Sequence, residues 1–388
     1  MNVAARLSAP MSPRVCLLHN YQEGRHLSMK LYAEQFGDAL ERAGAVVERV
    51  RQDDVLPASW QRLPLLQKAD SYLGRFGSYP RRARGLRADI FHIVDHGQAH
   101  LIKSLDPART VVTCHDLILL VLGAGELGRA PQPRIATLLL RYAVGHLARA
   151  AKIVAVSQQT RADLGRFLGI DPARVEVIYP GLNRRYRPME NLRDATRARH
   201  GLPPTPLLLH VGSSVFYKNL EGCLHVVARL RAGGIPATLV RVGQRLQPAQ
   251  LRLAGQLGLQ DSIRELGSLT SPDLAELYNS VDLLLFPSHY EGFGWPPVEA
   301  MASGTPVVCS SAGSLREIVG DAALTADADD IAGLAEHVSA VLTKADLRAN
   351  LRDRGLTRAA LFDWDKTAAK FLRIYGDVLQ VGAVKRDR

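Results

Sequence analysis

The sequence predicts an α/β protein built from two doubly wound parallel-sheet domains that face each other across a cleft. Short apolar segments alternate with helical segments along the whole chain, which is the pattern of a parallel sheet covered by helices. The chain has 388 residues, enough for two domains that each bury a core. A stretch rich in proline, glycine and arginine between residues 179 and 204 interrupts the pattern and marks the boundary.

Five segments follow from this pattern. They are a loose tail over residues 1–13, a first domain over 14–185, a linker over 186–204, a second domain over 205–363 and a terminal segment over 364–388. The run Trp364–Leu379 is amphipathic at helical spacing, and no strand follows it. We therefore expect a terminal helix that packs on surface already formed by the rest of the chain.

Each element is predicted from its own pattern. Strands are short aliphatic runs bounded by polar or turn-forming residues, and helices repeat apolar residues three or four positions apart. The predicted strands are Val15–His19, Val46–Arg51, Ile90–Val94, Val111–Cys114, Ile153–Val156, Val175–Ile178, Leu207–Val211, Ala237–Val242, Ile263–Leu266, Val281–Phe286 and Pro306–Cys309. The clearest helices are Met29–Ala43, Ile135–Ala148 and Thr160–Leu168.

The composition argues against a membrane-spanning or disulfide-rich chain. Apolar residues make up 47% of the sequence, but no apolar run approaches the roughly 20 residues that a spanning helix needs. The N-terminus lacks the apolar segment of a signal peptide. The four cysteines (Cys16, Cys114, Cys223 and Cys309) are not spaced as metal ligands, so we expect buried, reduced thiols in a cytoplasmic protein.

Charge is divided unevenly between the two halves. Residues 1–200 carry a net charge of +12 and residues 201–388 carry −1. The first domain is therefore expected to meet an anionic partner. Three kinds of partner fit this charge: nucleic acid, an anionic membrane surface and a phosphorylated acceptor. The segment 60–87 mixes apolar side chains with arginines, as an interfacial element on anionic lipid does; a helix with a solvated basic edge is the alternative. No nucleic-acid-binding motif is recognisable.

Two glutamates bracket a glycine loop in Glu291-Gly-Phe-Gly-Trp-Pro-Pro-Val-Glu299. An apolar strand precedes Glu291, and we expect Glu299 in the first turn of the helical run Val298–Ser303. Glycines let a backbone approach a ligand closely, and helix N-termini at the carboxyl ends of parallel strands bind anions. This pattern predicts a site for a ligand with both hydroxyls and phosphates. The alternative is a plain strand–loop–helix junction.

A second loop follows the first strand of the second domain. It holds Gly212, Ser213, Ser214 and Lys218 ahead of a helix predicted to begin near Leu220. A lysine at a helix start opposes the helix dipole, and a bound anion would explain it; a solvated lysine is the alternative.

In the first domain, His115 and Asp116 end one strand and His96 follows another. Imidazoles and carboxylates placed there can orient hydroxyls or stabilise developing charge, or they can simply hydrogen-bond within the structure.

Together these motifs resemble the family 4 retaining glycosyltransferases, which have the GT-B fold of two Rossmann-like domains. The resemblance covers the whole second domain, through the Glu291–Glu299 motif with its continuation to Val308, the Gly212–Asn219 loop, Gly243, Gly267–Tyr278 and Gly320–Ala323. In the first domain it is looser and depends on Cys114–Leu117, Val156-Ser157 and Tyr179–Gly181.

The resemblance implies roles for named residues. Glu291 with the amides of Phe293 and Gly294 would hold the sugar hydroxyls and diphosphate of a nucleotide-sugar donor, Glu299 the ribose, and Lys218 the leaving diphosphate. The remaining donor-side positions are Gly212, Ser213, Ser214, Asn219, Gly243, Leu269 and Gly292. From the first domain, His115, Asp116, His96 and the Gly24 loop would face the sugar and acceptor, and the terminal helix would cross back to that domain.

The implied reaction is a metal-independent hexose transfer without a cofactor. The mannosyltransferase-like subset suggests GDP-mannose as donor, and the basic first domain suggests a lipid-linked or polysaccharide acceptor at the inner face of an anionic membrane, without nucleic acid. A glycosyltransferase with a soluble acceptor and a non-catalytic nucleotide-sugar or nucleic-acid binder are the alternatives.

One departure from the family concerns charge. Many relatives place an arginine a few residues before the lysine, where this chain has Ser213 and Ser214, so Lys218 alone, backbone amides, Arg241 or Arg245 must meet the diphosphate charge.

Overall fold

A computed structural model describes residues 12–19, 27–52, 55–57, 63–127 and 134–384. Twelve strands lie within these residues, and we number them in chain order. They are β1 (Arg14–His19), β2 (Val46–Arg51), β3 (Ile90–Ile93), β4 (Thr110–Cys114), β5 (Lys152–Ala155), β6 (Val175–Val177), β7 (Leu207–Gly212), β8 (Thr238–Gly243), β9 (Ile263–Gly267), β10 (Leu283–Phe286), β11 (Val307–Ser310) and β12 (Leu324–Ala326).

The α-helices of the described residues connect these strands and cover both faces of the sheets. They are α1 (Leu27–Arg42), α2 (Pro64–Leu73), α3 (Tyr79–Ala83), α4 (Ile118–Gly123), α5 (Arg134–Val144), α6 (Gln158–Leu168), α7 (Arg193–Arg199), α8 (Leu220–Ala232), α9 (Pro248–Gln256), α10 (Ser271–Tyr278), α11 (Trp295–Ala302), α12 (Leu315–Val319), α13 (Ile331–Thr343), α14 (Ala345–Ala359) and α15 (Trp364–Val384). A π-helical turn, Gly74–Ser78, joins α2 to α3, and a 3₁₀ segment, His96–Ser104, follows β3.

Two six-stranded parallel sheets form, with strand orders β2-β1-β3-β4-β5-β6 and β12-β11-β10-β7-β8-β9. This confirms the predicted fold class. Strand order reverses beside β1 in the first sheet and beside β7 in the second, and ligands of such sheets bind at the carboxyl ends of the strands next to the reversal. In the second sheet those strands are β7 and β10, whose following loops carry Lys218 and Glu291.

The cores lie on both faces of each sheet, and the four cysteines are buried and unpaired. One strand of the second sheet, β12, is missing from the predicted set because its three residues form no apolar run. The helix α15 packs on α1, where the Phe36 and Phe371 ring centroids are 4.6 Å apart. It also reaches the sheet, since the Tyr375 hydroxyl lies 2.6 Å from Nδ1 of His92.

No helix among the described residues combines the length and the apolar character needed to cross a membrane.

Candidate functional site

Lys218 and Glu291 form a part-buried ion pair at the carboxyl ends of β7 and β10. The Lys218 ammonium lies 2.6 Å from one carboxylate oxygen of Glu291 and 2.9 Å from the other. Their side chains are 16% and 10% exposed, so little water screens the pair. The ammonium also lies 5.5 Å from the centre of the Phe286 ring, which favours a cation at that position. The lysine and the carboxylate thus directly face each other at the carboxyl edge of the second sheet.

The loop that carries Glu291 is held by backbone geometry. Gly294 has φ +95°, a conformation that other residues rarely adopt, and it is the N-cap of α11, whose first turn contains two prolines. The Ser314 hydroxyl donates to the carbonyls of Glu291 and Phe293 at 3.1 and 2.9 Å. Because α11 begins at Trp295, Glu299 lies in its second turn, and the prediction of a first-turn position is wrong.

The same loop lies directly against the first domain. A Cβ added to Gly292 would come within 2.0 Å of the His115 carbonyl oxygen. The Thr160 hydroxyl lies 3.3 Å from that oxygen and 3.4 Å from the carbonyl oxygen of Gly292. Glycine at position 292 is therefore required by the close approach of two backbones, and the structure brings the predicted His115-Asp116 pair to the glutamate loop.

His115 is buried, and its ring has a defined hydrogen-bond partner. Nε2 lies 2.7 Å from the Val94 carbonyl oxygen, which can only accept, so Nε2 carries the proton. Burial lowers the pKa of His115 below its usual value. The ring is thus neutral with Nδ1 as its acceptor, so at this histidine we expect positioning and hydrogen bonding with a ligand hydroxyl instead of a positive charge.

Asp116 and His96 border His115 on either side. One Asp116 oxygen accepts from the Ile118 amide at 3.1 Å, which orients the carboxylate at the start of α4. The ring of His96 is buried, and its Nδ1 accepts from the His115 amide at 3.4 Å. Gly24, predicted on the acceptor side, lies outside the described residues.

Glu299 occupies a separate position behind the glycine loop. Its carboxylate accepts from the Tyr278 hydroxyl at 2.9 Å and also from Tyr186. Burial raises the pKa of Glu299 to about 7, although both hydrogen bonds act to lower it. The residue lines a small cavity between the domains with Gln35 and Trp295. A carboxylate there can accept hydrogen bonds from vicinal hydroxyls.

Two family models match the chain. The model described as Glycosyltransferase Family 4 matches residues 14–186, and the model described as Glycosyl transferases group 1 matches residues 193–358. A D-inositol 3-phosphate glycosyltransferase of Frankia alni is 32% identical over 288 residues, which are 71% of this chain and 70% of the relative. The chain belongs to glycosyltransferase family 4.

Two other relatives extend the comparison. A D-inositol 3-phosphate glycosyltransferase of Streptomyces bingchenggensis is 31% identical over 271 residues, 65% of this chain and 58% of that protein, so the match spans less than two thirds of its length. The O-antigen chain mannosyltransferase B of Escherichia coli is 41% identical over 113 residues, 29% of this chain and 30% of the relative.

Solved structures share the fold. Sucrose-phosphate synthase from Thermosynechococcus elongatus has a TM-score of 0.74 at 21% identity, covering 95% of this chain and 99% of its own. HepE of Anabaena, in complex with UDP and glucose, has a TM-score of 0.71 at 19% identity, covering 93% and 99%. Similarity at these identities establishes the fold of this chain.

Several side chains predicted on the donor side bond to the backbone of this chain. The Ser214 hydroxyl donates to the carbonyls of Gln244 and Arg245, and the Asn219 amide donates to two carbonyls while its oxygen caps α8. A Cβ on Gly243 would lie 1.9 Å from the Gly212 carbonyl oxygen. Ser213 and Leu269 are half-buried at the same edge of the sheet. This geometry shows Ser214, Asn219 and Gly243 shaping the loop that presents Lys218.

Two contacts between the domains were not anticipated from the sequence. The Tyr290 hydroxyl donates to Asp163 at 2.7 Å and lies 3.4 Å from the Leu117 amide. The carboxylate of Glu317 accepts from the Gln158 amide at the N-terminus of α6, at 2.8 and 3.0 Å. The position of Tyr290 just before Glu291 was a possible signal, whereas no local pattern marks Glu317. Among the described residues, no group of three or more His, Cys, Asp or Glu side chains is placed to hold a metal ion.

Proposed function

We propose that the protein is a retaining, metal-independent hexosyltransferase that moves mannose from GDP-mannose to a hydroxyl of a membrane-associated glycolipid or polysaccharide. The observation that carries this proposal is the part-buried Lys218–Glu291 pair, which lies at the strand-order reversal of the second sheet. The loop that holds Glu291 also packs against His115-Asp116 of the first domain. One cation and one carboxylate at the same point suit a ligand that carries both phosphates and hydroxyls.

The chemistry follows from where charge develops. The bond between the anomeric carbon and the diphosphate oxygen breaks, and both electrons go to that oxygen. Lys218 and the amides of the glycine loop stabilise the departing negative charge, while Glu291 accepts hydrogen bonds from sugar hydroxyls. The acceptor hydroxyl attacks the same face of the sugar and passes its proton to the departing phosphate. Because Lys218 supplies positive charge at the leaving group, the proposal includes no metal ion.

The donor is proposed from the relatives. The O-antigen chain mannosyltransferase B supports mannose, whereas HepE of Anabaena is described with UDP and glucose. Transfer should be assayed with GDP-mannose and UDP-glucose on an extract of envelope glycolipids, with and without EDTA. We expect mannose in a retained anomeric configuration, in equal yield with EDTA. A preference for UDP-glucose, an inverted product or loss of transfer in EDTA would each contradict one part of the proposal.

The membrane part of the proposal is supported by exposed apolar side chains on the basic first domain. Leu65 on α2 is 83% exposed, and Ile135 and Leu138 on α5 are 70% and 68% exposed. The π-helical turn that follows α2 contacts α5, where the ring centroids of Phe76 and Tyr142 lie 6.0 Å apart. Apolar groups of this kind insert into an anionic interface while neighbouring cations meet its head groups. We therefore propose peripheral attachment at the cytoplasmic face of a membrane.

A second candidate is transfer to a small soluble acceptor. Relatives named D-inositol 3-phosphate glycosyltransferases favour it, because their names specify a phosphorylated polyol as acceptor. Incubating the protein with a nucleotide sugar and D-inositol 3-phosphate, without lipid or detergent, distinguishes the two. A glycosylated inositol phosphate would replace the glycolipid proposal with this one.

A further inference from the structure

Arg241 is a fully buried arginine beneath the loop from Gly212 to Lys218, which follows the first strand of the second domain. It lies on β8, is 1% exposed, and is among the largest fully buried side chains of the described residues. Its guanidinium donates to the carbonyl of Gly212 at 2.6 Å and to that of Val242, and lies 3.4 Å from the Ser214 hydroxyl. Nε has no hydrogen-bond partner within the described part of the chain.

The charge on this side chain is poorly compensated. None of the acceptors named above is a carboxylate, and no ion pair within the described residues includes Arg241. Burial lowers the pKa of Arg241, and Glu265 on the neighbouring strand opposes this only in part. The side chain next to it in the sheet, His210, is buried too, and burial together with the Arg241 charge lowers its pKa to about 3, so it is neutral. A buried cation of this kind is costly unless an anion offsets it.

The position of Arg241 relates it to Lys218. Gly212, whose carbonyl accepts from the guanidinium, would carry a Cβ only 3.8 Å from the Lys218 side chain. Because a trans peptide directs its C=O and N–H in opposite directions, the Ser213 N–H is directed away from Arg241. A cation on the carbonyl side polarises the peptide group and strengthens its N–H as a donor to an anion.

We propose that Arg241 is a positioning residue for the donor diphosphate, supplying positive charge from beneath the loop through the Gly212–Ser213 peptide. This inference rests on the proposed function and names one more residue of the same site. In this proposal the Arg241 side chain does not touch the ligand. It orients the Gly212 carbonyl and contributes positive charge near a diphosphate that is held between the loop and Lys218. Arg245, the other arginine near this loop, is exposed.

The test separates the charge of Arg241 from its hydrogen bonds. Arg241→Gln retains a donor for the Gly212 carbonyl and removes the charge, whereas Arg241→Lys retains the charge. Affinities for GDP, UDP and the uncharged nucleosides guanosine and uridine are measured by calorimetry on each variant. We expect Arg241→Gln to weaken the binding of GDP and UDP about tenfold, with little effect on the binding of the nucleosides. Arg241→Lys should retain most of the affinity that Arg241→Gln loses. The matched control Arg252→Gln removes an exposed arginine of α9 and should bind as the wild type does. Arg245→Gln tests the rival arginine, and a loss of diphosphate affinity in that variant with none in Arg241→Gln would overturn the inference.

Other outcomes overturn the inference. Equal losses for nucleosides and diphosphates, or no rescue by lysine, would show a purely structural role. If neither Arg241 variant folds, Lys218→Met answers the question: a preference for GDP over guanosine that survives in it supports charge from beneath the loop, and its disappearance refutes it. Failure of the proposed function is distinguishable, because the wild type would then bind neither GDP nor UDP and transfer no sugar.

Discussion

At the scale of single residues, the site is organised by which charges are paired and which are buried. Lys218 and Glu291 neutralise each other across a distance of 2.6 Å, and both side chains are largely shielded from water. Glu299 lies behind them in an environment where burial raises its pKa to about 7. Two carboxylates of one short motif thus have different partners, a lysine for Glu291 and a tyrosine hydroxyl for Glu299, which agrees with the different roles proposed for them.

Removing the lysine should impair chemistry more than binding. We expect Lys218→Met to lower kcat about 100-fold, because the charge on the departing diphosphate loses its closest cation. Steady-state kinetics against the donor measure this, with Lys152→Met as control, since Lys152 pairs with Glu176 on the surface of the first domain. Unchanged kcat in Lys218→Met would contradict the assigned role.

The same pair predicts a stability pattern. Lys218→Met leaves Glu291 buried without its partner, so we expect the Lys218→Met/Glu291→Gln double variant to be more stable than Lys218→Met alone, by about 1 to 3 kcal/mol. Urea unfolding of Lys218→Met, Glu291→Gln, the double variant and the wild type measures the difference. Additive effects of the two substitutions would show that the pair is not coupled.

Glu299 predicts a pH dependence of stability. Because burial raises its pKa from 4.5 to about 7, its contribution is fully present below pH 4.5 and is lost as the pH rises through 7. Glu299→Gln should therefore gain about 1 to 3 kcal/mol relative to the wild type between pH 5 and pH 8. Urea unfolding at both pH values checks this, with the exposed Glu336→Gln as control. The same relative stability at both pH values would count against a raised pKa.

At the scale of elements, the loop between β10 and α11 joins the two domains. Gly292 allows its backbone to meet the carbonyl of His115, and Tyr290 bonds to Asp163 on α6. From the other side, the Glu317 carboxylate caps α6, which favours a negative charge at its N-terminus. Contact between the two domains therefore depends on a few positions, of which Gly292 must be small.

Gly292→Ala tests this closure. The added Cβ would lie 2.0 Å from the His115 carbonyl oxygen, so the loop or the first domain must shift. We expect transfer to fall about tenfold or more, with a smaller change in nucleotide affinity, since misplacement of reacting groups costs rate more than binding. Kinetics and calorimetry on one preparation separate the two. The control Gly376→Ala, on α15 with no atom within 4 Å of the new Cβ, should leave transfer unchanged.

At the scale of the whole molecule, charge and apolar exposure fall together on the first domain. Its half of the chain carries +12, and α2 and α5 expose Leu65, Ile135 and Leu138. The residues proposed to hold the donor lie on the second domain, whose half of the chain carries −1. One domain is thus suited to hold a nucleotide sugar, and the other to meet an anionic surface.

Vesicle binding tests the proposed membrane face. Leu65→Glu with Ile135→Glu, and separately Arg81→Gln with Arg84→Gln, should each weaken binding to anionic vesicles, by about 1 kcal/mol per arginine removed. Sedimentation with anionic and with neutral vesicles measures this. Leu361→Glu, which alters a leucine of the second domain that is 57% exposed, is the control. Equal binding by all variants would remove the support for peripheral attachment.

Much of the fold could be predicted because its signals are local. Eleven of the strands described here were expected from short aliphatic runs, whereas β12 is three residues long and carries no such run. The start of α11 was placed three residues late, because two prolines were interpreted as preceding a helix that in fact includes them. The partners of Ser214 and Asn219 were unpredictable, since the carbonyls they bond belong to other parts of the chain.

The sequence by itself determined the alternation of strands and helices, the family, and the loops that carry Lys218, Glu291 and His115. Only the tertiary structure decided which of these groups meet. The lysine and glutamate are 73 positions apart, and Arg241 contacts a carbonyl 29 positions away. Secondary structure follows from neighbouring residues, whereas the state of a buried charge depends on groups that only the folded chain brings together.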